Sequence, residues 1–137
     1  MLTAEQAACF EVFGFLVFRE VFSREEMDRI TGAAEAVWER ELGRWSGEEE
    51  EVSTVPFVEK YALLTQLAED DRIYAPVEQL LGKDLIWSGS EGNRGFQPGS
   101  PVHHWHADRP GKDELGYTRI KVMLYLDAMW KEGAPCG

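Results

Sequence analysis

The stretch QLLGKDLIWSGS, residues 79–90, divides the chain into two textures. Up to Gly82, apolar residues recur at intervals of three and four, the spacing that lines one side of a helix. Beyond it come short runs rich in β-branched and aromatic residues, separated by Gly and Pro, the pattern of strands and turns. Helices followed by antiparallel-looking strands imply an α+β fold. A single domain over residues 1–137 is expected, helical to about residue 82 and strand-rich from about residue 83.

Toward the N-terminus, TAEQAACFEVFG (3–14) predicts a short helix, with Thr3 and Gln6 at capping-box spacing and Gly14 as a left-handed stop. FLVF (15–18), bounded by Gly14 and Arg19, predicts a buried strand. SREEMDRITGAAEAVWERELG (23–43) repeats the first device, with Ser23 as cap, Glu26 three residues on and Gly43 at the end. Met27, Ile30, Ala34, Val37 and Trp38 form its core-facing stripe. The run Glu48–Glu51 repels itself and predicts a solvated loop. Two shorter helical pieces follow, about 58–68 and 73–81, the second carrying Pro76 near its first turn and ending at Gly82. Past that point DLIWSGS (84–90), FQPGSPVHHWH (96–106) and TRIKVMLYLDAMW (118–130) are strand-like, while EGNRG (91–95) and DRPGKDELG (108–116) are turn-like.

Composition narrows the function classes. A hydrophobic content of 44% over 137 residues supports one core. The net charge of −11 argues against nucleic acid or an anionic membrane as partner, since phosphate recognition needs clustered Lys and Arg. Cys9 and Cys136 stand at opposite ends and form neither a CxxC pair nor a disulfide ladder. No signal-peptide pattern opens the sequence, and no apolar run approaches the ~20 residues of a membrane span. The expectation is a soluble, cytoplasmic protein.

All three histidines, His103, His104 and His106, fall in VHHWHADRP (102–110), beside Asp108. On a strand, residues 104, 106 and 108 share one face, but 104 and 108 lie about 13 Å apart, too far to meet at one ion. Two same-face pairs remain: His104 with His106, and His106 with Asp108. Charge compensation favours the second, which supplies two thirds of a 2-His-1-carboxylate site for Fe(II). The competing structural reading is that these imidazoles cap turns or sit half-buried in a sheet.

GFLVFREVFSREEMDRI (14–30), WHADRP (105–110) and KVMLYLDAMWKEGAP (121–135), taken in order, resemble the phytanoyl-CoA dioxygenase (PhyH-like) family of non-haem Fe(II), 2-oxoglutarate-dependent dioxygenases. The resemblance implies N-terminal helices packed on a double-stranded β-helix, or jelly-roll, core. It makes His106 and Asp108 metal ligands for Fe(II), with 2-oxoglutarate as cosubstrate and O2 and a small molecule as further partners. By a looser carry-over it places Ser88 and Asn93 near the cosubstrate, and His104 as an orienting neighbour. Arg94 and Lys121 are candidates to meet an anionic substrate, set against the plainer reading of solvated surface residues. Because Asp108 is kept rather than replaced by a small residue, hydroxylation or a related oxidation is implied instead of halogenation.

The sequence also departs from that pattern. The family's second histidine and the basic residue that meets 2-oxoglutarate lie well downstream of YLD, and here no histidine follows His106. A jelly roll incomplete at its C-terminus would leave KVMLYL as an unpaired apolar edge, little blunted by Lys121 and Lys131. Either the 137 residues are a fragment, which is the favoured expectation, or the chain pairs with a copy of itself as a homodimer. The rival functional class is a non-catalytic jelly-roll remnant or interaction module that retains the HxD motif.

Overall fold

The computed structural model describes residues 1–43, 52–94 and 118–127. Their elements are α1 (Ala4–Phe13), α2 (Arg24–Leu42), β1 (Val52–Thr54), a 3-10 turn (Val58–Lys60), α3 (Ala62–Glu69), α4 (Asp71–Leu81) and β2 (Gly92–Arg94). The architecture is α+β, with four helices and one two-stranded antiparallel sheet among the described residues.

Both anticipated capping boxes form. In α1 the Gln6 N–H donates to Thr3 Oγ1 at 3.2 Å and the Thr3 N–H to Gln6 Oε1 at 2.9 Å. Gly14 closes the helix at φ 75°, its N–H reaching Phe10 O at 2.8 Å. In α2 Ser23 and Glu26 exchange the same pair of bonds, at 3.2 and 2.7 Å. Reciprocal caps satisfy backbone donors that the first helical turn leaves without partners, so they fix where each helix begins.

The core is built on α2. Ile30, Ala33, Ala34, Val37 and Trp38 are buried along one side, joined by Phe22, Phe57 and Leu64. Met27, the remaining member of the anticipated stripe, packs against this cluster half-buried. The Trp38 and Phe57 rings lie 4.8 Å apart between centroids and are tilted by 38°, a geometry worth about 0.5–1.5 kcal/mol beyond the area it buries. α1 contributes no buried residue. The chain before it is tied down instead: Leu2 is buried, and its N–H donates to Gln79 Oε1 on α4 at 2.8 Å while the Gln79 amide returns a bond to Leu2 O at 3.4 Å.

Several expectations need correction. The helical piece anticipated from residue 58 splits into a 3-10 turn and α3, with extended backbone at Tyr61 between them. The Lys60 carbonyl there accepts from Arg40 Nη2 at 3.1 Å, and Lys60 Nζ meets Glu41 at 2.5 Å, so the turn is held to α2. α4 begins at Asp71, capped by Asp70, which puts Pro76 inside the helix and not in its first turn. FLVF is neither buried nor a strand: Phe15 and Val17 are 63% and 66% exposed, and no ladder joins them among the described residues. DLIWSGS and the described part of TRIKVMLYLDAMW, residues 118–127, likewise show no ladder to the other described residues, though Leu126 packs against the core. A strand exists only with a partner, and β-propensity does not supply one. EGNRG, read as a turn, contains β2. The Glu48–Glu51 run and FQPGSPVHHWH lie outside the described residues.

One cluster links the helix starts. Arg72 Nη2 lies 2.7 Å from Asp70 Oδ2 and 2.8 Å from Glu26 Oε1, and its guanidinium sits 4.3 Å from the Phe22 ring centroid. Hydrogen bonds from Arg72, and then from the Ser23 backbone, hold the Glu26 carboxyl down at about 2. The side chain and backbone of Arg72 do the same for Asp70, also to about 2. Carboxyls depressed in the folded state stabilise it above their unfolded values and stop doing so as pH falls through the folded ones. The thermal midpoint should therefore drop as pH is lowered from about 4.5 toward 2. Arg72→Met should flatten that limb relative to the parent, as read by melting curves across the same window.

The β1–β2 platform and the candidate metal centre

β1 and β2 pair antiparallel in the register Val52↔Arg94, Ser53↔Asn93 and Thr54↔Gly92. Alternation along β2 sends Gly92 and Arg94 to one face and Asn93 to the other. Gly92 is buried, and its carbonyl lies 3.5 Å from the Trp38 indole nitrogen on α2. A Cβ at this glycine would overlap Cγ, Cδ2 and Cε2 of Phe57. The ribbon therefore approaches the core as bare backbone, which is why a residue that reads as a turn former sits in a strand.

The sequence-predicted site residues fall into two groups. His103, His104, His106 and Asp108 lie outside the described residues. Ser88, Asn93, Arg94 and Lys121 are described. Ser88 is exposed in the irregular segment between α4 and β2, and Asn93 is exposed on the strand face turned away from Gly92. Arg94 is held on the helix side, 2.8 Å from Glu35 Oε2 and 5.6 Å from the Trp38 ring centroid. Meeting an anionic substrate would require it to leave that ion pair. Lys121 is exposed in the 118–127 segment. Among the described residues no group of three His, Cys, Asp or Glu side chains is placed to hold a metal.

The structure adds a cluster that sequence reasoning missed. The Glu59 carboxylate accepts from Trp87 Nε1 at 2.7 Å through one oxygen and from the Ser90 hydroxyl through the other. Ser90 Oγ in turn accepts the Phe57 and Val58 N–H groups at 3.0 and 2.8 Å. Partial burial pushes the Glu59 carboxyl up, but the bonds from Ser90 and Trp87 outweigh it and leave it below its ordinary value. Glu59 stands about thirty positions from both partners, and no local motif announces such a contact.

Nothing among the described helices is long and apolar enough to cross a membrane. In comparisons with known proteins, the family model described as Phytanoyl-CoA dioxygenase (PhyH) matches residues 10–136. No curated protein and no solved structure matches the chain.

Two neighbouring substitutions in the platform should act in opposite directions. Gly92→Ala forces a methyl into the Phe57 ring and should cost about 1–3 kcal/mol. Thr54, opposite Gly92, buries a hydroxyl with no hydrogen-bond partner among the described residues, so Thr54→Val should gain about 1 kcal/mol. Chemical denaturation of both variants checks the pair.

Proposed function

The chain belongs to the phytanoyl-CoA dioxygenase family, and from that membership we propose that it forms part of an Fe(II)- and 2-oxoglutarate-dependent dioxygenase acting on a small molecule. The observation that carries the reading is the span of the match, residues 10–136, which includes WHAD at 105–108. His106 and Asp108 would hold the metal: a neutral imidazole nitrogen and an anionic oxygen, two residues apart, suit Fe(II) and leave positions for exchangeable ligands. An Fe(II) held there, with 2-oxoglutarate and O2, would supply the oxidising power to hydroxylate an aliphatic C–H.

The protein's own share is positioning. The family reading would give 96–106 and 118–130 to strands of a jelly-roll core, and α2 braces the β1–β2 ribbon that precedes them in the chain. Ser88 and Asn93 offer neutral hydrogen-bonding groups for the cosubstrate's oxygens. His104, next to the ligand pair, orients it in the way that outer partners orient metal-bound imidazoles. The donor count still wants one more protein ligand and a cationic side chain for the far carboxylate of 2-oxoglutarate. No histidine follows His106 among these 137 residues.

In the intact protein, His106→Ala and Asp108→Ala should each abolish 2-oxoglutarate turnover to succinate while leaving the melting temperature nearly unchanged. His104→Ala should reduce turnover by roughly tenfold to a hundredfold, as loss of an orienting neighbour does. A lethal His104→Ala beside a silent Asp108→Ala would show that the wrong pair has been assigned.

A further inference from the structure

Ser88 lies in a segment without regular secondary structure, yet the residues around it are not loose. Trp87, immediately before it, and Ser90, two residues after it, both bond to the single carboxylate of Glu59 on the 3-10 turn. The Ser90 hydroxyl has two lone pairs, and the Phe57 and Val58 N–H groups occupy both. Its proton can therefore go only to an acceptor, and Glu59 Oε2 is that acceptor. Because Trp87 Nε1–H needs a second acceptor on the same side chain, the site calls for a group with two acceptor atoms and no donor. A carboxylate meets that requirement and an amide does not.

We propose that Glu59 is a positioning residue for the cosubstrate: by clamping Trp87 and Ser90 it holds the Ser88 hydroxyl, exposed between them, at the place where 2-oxoglutarate is bound. This rests on the oxygenase reading and on Ser88 as a cosubstrate contact, and it adds the device that orders an otherwise irregular segment. Among the described residues the Ser88 hydroxyl has no hydrogen bond of its own, which leaves it available to a ligand.

The test uses the intact protein and three variants: Glu59→Gln, Ser88→Ala and the double substitution. Amide hydrogen exchange reports the clamp directly, and protection of residues 87–91 should fall in Glu59→Gln. Anaerobic titration of the Fe(II) protein with 2-oxoglutarate, read by the charge-transfer band of the chelated keto acid, reports the cosubstrate. Glu59→Gln and Ser88→Ala should each weaken 2-oxoglutarate binding by roughly threefold to tenfold. Fe(II) affinity should be unchanged, and the double variant should be no weaker than Ser88→Ala alone, because the two act through one contact. Ser90→Ala, which breaks the clamp from its other side, should reproduce Glu59→Gln and replaces it if that variant fails to fold.

Unchanged exchange at 87–91 in Glu59→Gln overturns the clamp. Fully additive losses, or a silent Ser88→Ala with the band intact, overturn the link to the cosubstrate while leaving the oxygenase reading standing. Absence of the band in the parent at saturating 2-oxoglutarate removes both.

Discussion

The described structure depends on one close approach, the bare backbone of Gly92 laid against the Phe57 ring beside Trp38. α2 supplies a continuous buried side, but a helix alone cannot fix where a two-stranded ribbon sits. The missing side chain at position 92 lets the ribbon come close enough for Trp38 and Phe57 to stack beneath it. Once that distance is set, the register fixes Asn93 outward and Arg94 toward Glu35. The same turn that carries Phe57 also carries Glu59, so the packing of the core and the anchoring of the 87–90 segment share a foundation.

What was legible in the sequence follows from range. Thr3 with Gln6 and Ser23 with Glu26 are contacts three residues apart, and both boxes form as spaced. The α2 stripe was legible because burial on one side imposes a helical period, and only Ala33, small and flanked by Gly32 and Ala34, escaped it. Strands are less legible for the opposite reason. Phe15–Phe18 and Lys121–Leu126 have the composition of strands, but pairing depends on partners distant in sequence. β2 was hidden because Gly and Asn mark turns in most settings, whereas here the glycine serves contact with an aromatic ring.

For the site, the family was more legible than the residues that support it. A His-x-Asp spacing is weak by itself, but the order of GFLVF, WHADRP and YLD along the chain points to the family whose model matches residues 10–136. The residues that brace the ribbon carry no such signature. Arg94 has the charge expected of an anion contact, yet its ion pair with Glu35 could be found only from the fold. Glu59 lacks even a suggestive neighbour, because its partners come from the far side of two helices.

The proposed chemistry requires that imidazole and carboxylate of one short motif grip the same ion. An anaerobic Fe(II) soak of crystals of the intact protein, with anomalous difference maps collected at the iron edge, addresses this without reference to turnover. The account predicts a single iron peak with one nitrogen of His106 and one oxygen of Asp108 each about 2.0–2.2 Å away, in line with distances for first-row metals. A peak elsewhere, or these two side chains directed to opposite faces of the strand with no density between them, would contradict it.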